Sequence, residues 1–116
     1  MNFADYLIND FKGDTKIKSI KFFRSSGAYG YVAWLTIISF YLKKTPLTIE
    51  HLVDAVESYA SRRTILDFLN RGFDGGFIDK KNSSEDKRKI FLEPSKITLV
   101  EFNEWAMEFT ANIRPL

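Results

Sequence analysis

The sequence predicts a mainly α-helical domain with one small β-hairpin, an α+β chain whose helices build the core. Three observations predict it. Apolar residues recur at helical spacing from residue 3 to 11, 49 to 56, 65 to 69 and 99 to 113. The stretch 25–42 carries no charge and is apolar on every face of a helix. Two short apolar segments, Phe77-Ile78 and Ile90-Phe91-Leu92, flank a polar, turn-rich stretch. Of the 116 residues 45% are hydrophobic and 16% aromatic, so a single domain can bury enough large side chains to offset chain entropy without covalent staples.

Asn2 can cap a first helix in which Phe3, Leu7 and Phe11 recur every four residues, with Gly13 placed to stop it. Residues 14–24 alternate Lys with Ile and Phe and fit either a short helix or an extended linker. Residues 27–42 form the enclosed central helix, and Trp34 belongs to the core or an interface, as does Trp105. Lys43-Lys44 complements the dipole of that helix's last turn, and Pro46 prevents continuation.

Thr48 then caps a short helix with Ile49, Leu52, Val53 and Val56 inward, which leaves His51 as an exposed surface histidine. Ser58 or Ser61 caps the next helix, whose Ile65, Phe68 and Leu69 point inward while Ser61, Arg62 and Arg63 crowd its first turn. Arginines there oppose the helix dipole and cost stability unless something negative is bound. Gly72, Gly75 and Gly76 end the helix and lead into the hairpin. Its tip gathers five consecutive charges, Glu85-Asp86-Lys87-Arg88-Lys89, which suits an anionic partner. After Pro94, Ser95 caps a last helix with Leu99, Phe102, Ala106, Phe109 and Ile113 spaced three, four, three, four. That short seam packs on the first helix, on a second subunit, or on both. The expected organisation is one domain over 1–116, with an N-terminal helical segment (1–26), a core (27–95) and a C-terminal helix (96–116).

Composition narrows the function classes. There is no cysteine and a single histidine, so disulfides, thiolate chemistry and multi-histidine metal sites are out of reach. With no glycine-rich phosphate loop and no obvious carboxylate pair, neither an enzyme nor a cofactor is expected. The uncharged run 25–42 reaches only the lower edge of a spanning helix and holds two Gly, three Ser, one Thr and three Tyr, so a buried helix is expected and no membrane span. Residues 1–5 lack the basic head and apolar run of a secretory leader, and a cytoplasmic location is expected. The net charge is only +2, but residues 58–96 carry nine Lys/Arg against six Asp/Glu.

Two helices joined by a short turn, the second with polar groups at its start, describe a helix-turn-helix, and a hairpin directly after it makes a winged helix. The residues Ala60-Ser61-Arg62-Arg63-Thr64-Ile65, Phe68-Leu69, Gly76-Phe77-Ile78 and Asp86-Lys87-Arg88 stand where the MarR family of bacterial transcriptional regulators carries its recognition helix and wing. The chain resembles that family most over 58–95 and less over 27–57. The resemblance implies a MarR-like winged helix-turn-helix with N- and C-terminal helices packed together or at a dimer interface. It implies a sequence-specific regulator of transcription that binds double-stranded DNA, its recognition helix (about 58–71) in the major groove and its wing (about 77–92) in the minor groove.

On that resemblance Arg88 reaches into the minor groove, where negative potential is enhanced, while Asp86 holds the wing tip in shape. Lys80, Lys81, Lys87 and Lys89 serve phosphates. Ser61, Arg62 and Arg63 enter the major groove, and Thr48, Ser58 and Tyr59 contact phosphates. A homodimer is implied through Phe3, Leu7, Phe11, Leu99, Phe102, Phe109 and Ile113; no effector pocket is assigned. Two departures stand out. Gly72 replaces a large apolar residue, whose space Phe73 would fill with some distortion of the helix end, and Pro94-Ser95 replaces the usual Leu-Thr. The alternative reading is a winged-helix protein-interaction or dimerisation module that does not bind DNA, which the acidic Asp67, Asp74, Asp79, Glu85 and Asp86 would suit.

Overall fold

Along the chain run α1 (Phe3–Lys12), α2 (Lys18–Ser25), α3 (Ala28–Leu42), α4 (Ile49–Val56), α5 (Arg62–Asp74), β1 (Ile78–Asn82), β2 (Ile90–Pro94) and α6 (Lys96–Ala111). The computed structural model describes residues 2–12, 17–86 and 88–112. The architecture is the expected one, helices around one antiparallel hairpin.

Helix α3 is the hub: Ala33, Trp34, Ile37 and Ile38 are all in the core, Trp34 with no exposed surface, although the helix is not enclosed on every face, since Tyr31, Tyr41 and Leu42 are exposed. Its indole meets Phe23 of α2 at 6.0 Å, Phe102 of α6 at 5.5 Å and Trp105 of α6 at 5.3 Å, the last two edge to face. Gly30 is what lets α2 turn so tightly onto α3. A Cβ there would stand 2.2 Å from the Phe23 carbonyl oxygen, a backbone atom that cannot swing aside.

The ambiguous segment before α3 is helical over Lys18–Ser25, with Ser19, Ile20 and Phe23 buried. Ile17 at its N-cap supplies no side-chain hydrogen bond; instead the Ser19 N–H donates to Glu101 Oε1 of α6 at 3.1 Å. Arg24 in its last turn forms an ion pair with Asp10 of α1 and donates from Nη1 to the Asp10 carbonyl at 2.9 Å. Helix α1 is thereby tied to α2 along one edge. Phe3 and Tyr6 lie against Phe109, but no residue of α1 is buried and Phe11 is 79% exposed. Gly13, the expected stop, lies outside the described residues.

Helices α4 and α5 pack Leu52, Val56, Ile65, Phe68 and Leu69 into the core. Thr48 caps α4 by accepting the His51 N–H, and Ser61, not Ser58, caps α5 by accepting the Thr64 N–H. Helix α5, expected as the recognition helix, therefore begins at Arg62, later than the expected start at about residue 58, and Ser58 and Tyr59 sit in the turn before it. It also runs on to Asp74, so Gly72 does not stop it. Gly72 is buried within the helix, where a Cβ would lie 2.5 Å from Ile78 Cδ1 and 3.4 Å from Phe22 Cζ. Ile78 and Phe22 thus occupy the space expected for Phe73, whose half-buried ring instead lies under the Lys80 ammonium at 4.4 Å.

The hairpin pairs Ile78 with Pro94, Lys80 with Leu92 and Asn82 with Ile90. Its base is buried through Ile78, Leu92 and Pro94, while Asp79, Lys80, Lys81 and Asn82 are exposed. Pro94, which cannot donate to a ladder, ends β2, and Ser95 caps α6 by accepting the Thr98 N–H. The Phe77 carbonyl accepts from the Ser95 N–H at 3.2 Å and the Thr98 hydroxyl at 2.8 Å, which pins the start of α6 to the base of the hairpin. On the far side of β2, the Leu92 N–H donates to the Leu47 carbonyl and Thr48 bridges Phe91. The wing is consequently attached to the first turn of α4.

Helix α6 turns Phe102, Trp105 and Phe109 toward the protein and leaves Ile97, Val100 and Met107 exposed, the last by 65%. The radius of gyration is 15.2 Å, more than the about 13 Å expected of a globule of this length. Among the described residues no helix is long and apolar enough to cross a membrane.

Candidate nucleic-acid interface

The start of α5 is built by the Ser61 cap, which places Arg62 and Arg63 on the exposed side of the first turn. Arg62 is engaged there. Its Nη1 donates to Glu50 Oε2 at 2.7 Å and its Nη2 to Glu50 Oε1 at 2.6 Å, a two-pronged pair between the first turns of α5 and α4. Both side chains remain more than half exposed, 54% for Arg62 and 62% for Glu50. Hydrogen bonding from Arg62 holds the Glu50 carboxyl below its ordinary value, and the same bond raises the guanidinium further. Asp54, one turn along α4, adds a weaker negative charge on Arg62. Arg63 has no ion pair among the described residues. Sequence reasoning missed Glu50; its signal was an acidic first turn in α4 to match the basic first turn in α5.

The wing tip is closed by short-range side-chain bonds. Ser83 Oγ accepts the Glu85 and Asp86 N–H groups at 3.2 and 3.3 Å, and Asp86 Oδ1 accepts the Arg88 N–H at 3.0 Å. The Lys89 N–H returns to the Asp86 carbonyl, and the Ser83 N–H to the Lys89 carbonyl, both at 3.0 Å. Asp86 therefore organises the turn that carries Arg88, whose side chain is 94% exposed and comes nearest Asp86 at Nε, 3.5 Å away. Lys87 lies outside the described residues. Lys81 reaches Glu93 at 3.6 Å, Lys80 covers Phe73, and Lys89 is exposed.

The remaining expected site residues are distributed differently. Thr48 spends its hydroxyl oxygen on the α4 cap, and Tyr59 and Ser58 are exposed in the turn between α4 and α5. Of the residues expected at a dimer interface, Phe3 and Phe109 face each other at 5.5 Å and Phe102 packs on Trp34, all within the chain. Leu99 is half-buried, Leu7 and Phe11 are exposed, and Ile113 lies outside the described residues. An apolar cavity of about 640 Å³ opens between α1, the turn before α3, and α6, with Phe11, Tyr31, Trp105 and Phe109 in its walls. No cluster of His, Cys, Asp or Glu among the described residues could hold a metal ion.

No family model matches the chain, and no curated protein matches its sequence. Solved structures do. A point mutant of MepR from a multidrug resistant S. aureus clinical isolate aligns with a TM-score of 0.57 at 13% identity, over 93% of this chain and 76% of that one. The heme sensor protein PefR from Streptococcus agalactiae, in complex with heme, gives 0.55 at 15% identity over 93% and 74%, and the S. aureus MepR–DNA complex 0.52 at 14% over 94% and 74%. Lactococcus lactis ZitR, as a cysteine-to-serine mutant, gives 0.50 at 11% identity over 71% of this chain, which spans about half (53%) of that protein's length. At such identities the likeness is one of fold, and it covers nearly the whole of this chain in the first three. The fold of this chain is the winged helix-turn-helix of the MarR-family regulators to which these neighbours belong.

Proposed function

We propose that this protein regulates transcription by binding double-stranded DNA as a homodimer in the cytoplasm, with no catalytic activity of its own. The observation that carries the reading is Arg88, a guanidinium 94% exposed on a tip that Asp86 and Ser83 hold in one shape. The fold gains little from a cation so placed, whereas a narrow minor groove would. The basic first turn of α5 supports the same reading, since Arg62 and Arg63 occupy the part of a winged helix that enters the major groove. That MepR has been solved in complex with DNA adds support by analogy of fold. Lys80, Lys81, Lys87 and Lys89 would contact phosphates, with Thr48, Ser58 and Tyr59 beside α5.

The dimer is supported by exposed apolar residues on the two terminal elements, Leu7, Ile8 and Phe11 on α1 and Ile97, Val100 and Met107 on α6, and by a shape more extended than a lone globule. Phe102 and Phe109 would act from within the protomer, supporting that surface instead of forming it.

Fluorescence-anisotropy titration of mixed-sequence duplexes at several salt concentrations tests the reading. Wild type should bind with a steep salt dependence, and Arg88→Ala and the Arg62→Ala/Arg63→Ala double variant should each lose about tenfold or more in affinity. Absence of binding at low salt would overturn it in favour of a winged helix that recognises protein.

A further inference from the structure

The pairing of Arg62 uses the donors that DNA recognition would need. A guanidinium reads guanine by offering two N–H groups in a fork to O6 and N7. In Arg62 both terminal nitrogens are already taken, one by each oxygen of Glu50. Arg88 differs: its carboxylate neighbour comes no nearer than 3.5 Å, at Nε, and its guanidinium makes no hydrogen bond among the described residues. Arg63, beside Arg62 on the same turn, has no ion pair among them either. Of the three arginines offered to DNA, one is therefore held by an acidic residue from a different helix. Nothing in the core requires this, since Glu50 and Arg62 are both exposed.

We infer that Glu50 determines specificity: it keeps Arg62 in a neutral pair that a base edge can replace more readily than a phosphate can. The inference rests on the DNA-binding reading above. Its physical basis is the difference between the two competitors for the guanidinium. A phosphate is an anion, so a carboxylate beside Arg62 repels it. A guanine edge presents two acceptors without net charge and meets no such repulsion. Away from its cognate site a protein is held by phosphates and by the counterions their neutralisation releases, and an arginine already neutralised by Glu50 releases none. Asp54 lies on the same side of α4 and strengthens the effect. Specificity is a difference of two affinities, and here the lever is a penalty on the wrong complex.

The test compares wild type, Glu50→Gln, Arg62→Ala and the double variant on a mixed-sequence duplex and on a duplex selected by the wild type from a random pool, each over a salt series. All variants are first matched by thermal melting. Glu50→Gln should tighten binding to the mixed-sequence duplex by about five- to tenfold near 0.1 M salt and steepen its log–log salt slope by about one. The ratio between selected and mixed duplexes should narrow, and Glu50→Gln should leave that ratio unchanged when Arg62 is already Ala. Weaker binding of Glu50→Gln to both duplexes would make Glu50 an organiser of Arg62 and overturn the inference. An unchanged slope and ratio, or an equal narrowing of the ratio without Arg62, overturns it too. Failure of the wild type itself to bind any duplex is a separate result, which removes the DNA-binding reading and this inference with it.

Discussion

Glu101 of α6 accepts the backbone N–H of Ser19 across 3.1 Å, closing the first turn of a helix 82 residues away in the chain. A carboxylate at a helix N-terminus satisfies a donor that has no partner within the helix and sits favourably in its dipole. Because Ile17 offers no side-chain cap, this bond is what terminates α2. Glu101→Ala should lower stability by about 1 kcal/mol, as loss of a cap usually does. Urea denaturation checks the figure, and DNA affinity should not change.

Gly30→Ala tests the tight turn between α2 and α3. The added methyl would fall 2.2 Å from a backbone oxygen, so the two helices must separate. A loss of about 3 kcal/mol or more is expected, against the slight gain that Ala brings to an unobstructed helix. Gly72→Leu should behave similarly, since Ile78 and Phe22 already fill the volume.

Asp86→Ala removes the acceptor for the Arg88 N–H, and its 3.5 Å ion pair with Arg88 Nε, while leaving every basic side chain in place. If the turn geometry matters, it should lower DNA affinity by a substantial part of the loss seen in Arg88→Ala, despite making the protein more positive. Anisotropy at fixed salt distinguishes the two influences: tighter binding would show that net charge outweighs geometry at the wing.

Phe11→Asp tests the dimer surface. The residue is almost fully exposed, so the folded protomer should keep its melting temperature within a few degrees. Light scattering should report a shift from dimer to monomer, and a wild type that is monomeric at every concentration would remove the prediction.

Acid should open the Glu50–Arg62 pair. The folded carboxyl titrates below its unfolded value, so the pair is in place above the ordinary glutamate value of about 4.3 and is lost as pH falls through the lower folded one. Carboxyl resonances of Glu50 followed by NMR should show the depressed midpoint, and Arg62→Ala should return it toward the ordinary value.

What was legible in the sequence was local. Thr48, Ser61 and Ser95 all accept the N–H three residues on, a pattern readable from a hydroxyl placed just before an apolar-periodic run. The hub helix followed from a long uncharged, apolar run, although Tyr31, Tyr41 and Leu42 of that run stay exposed, and the wing from turn residues between two apolar segments. Helix α2 was undecided because its alternation of Lys with Ile and Phe serves either backbone; burial of Phe23 and the bond from the Ser19 N–H to Glu101 settle it.

The order of elements, three of the caps and the charged tip could be read from the residue string, because each depends on residues within a turn of one another. Three relationships could not: Gly72 buried against Ile78, Phe102 and Phe109 used inside the protomer, and Arg62 held by Glu50. Each of those depends on which surfaces of separate elements come to face one another, a relation set by how the whole core packs.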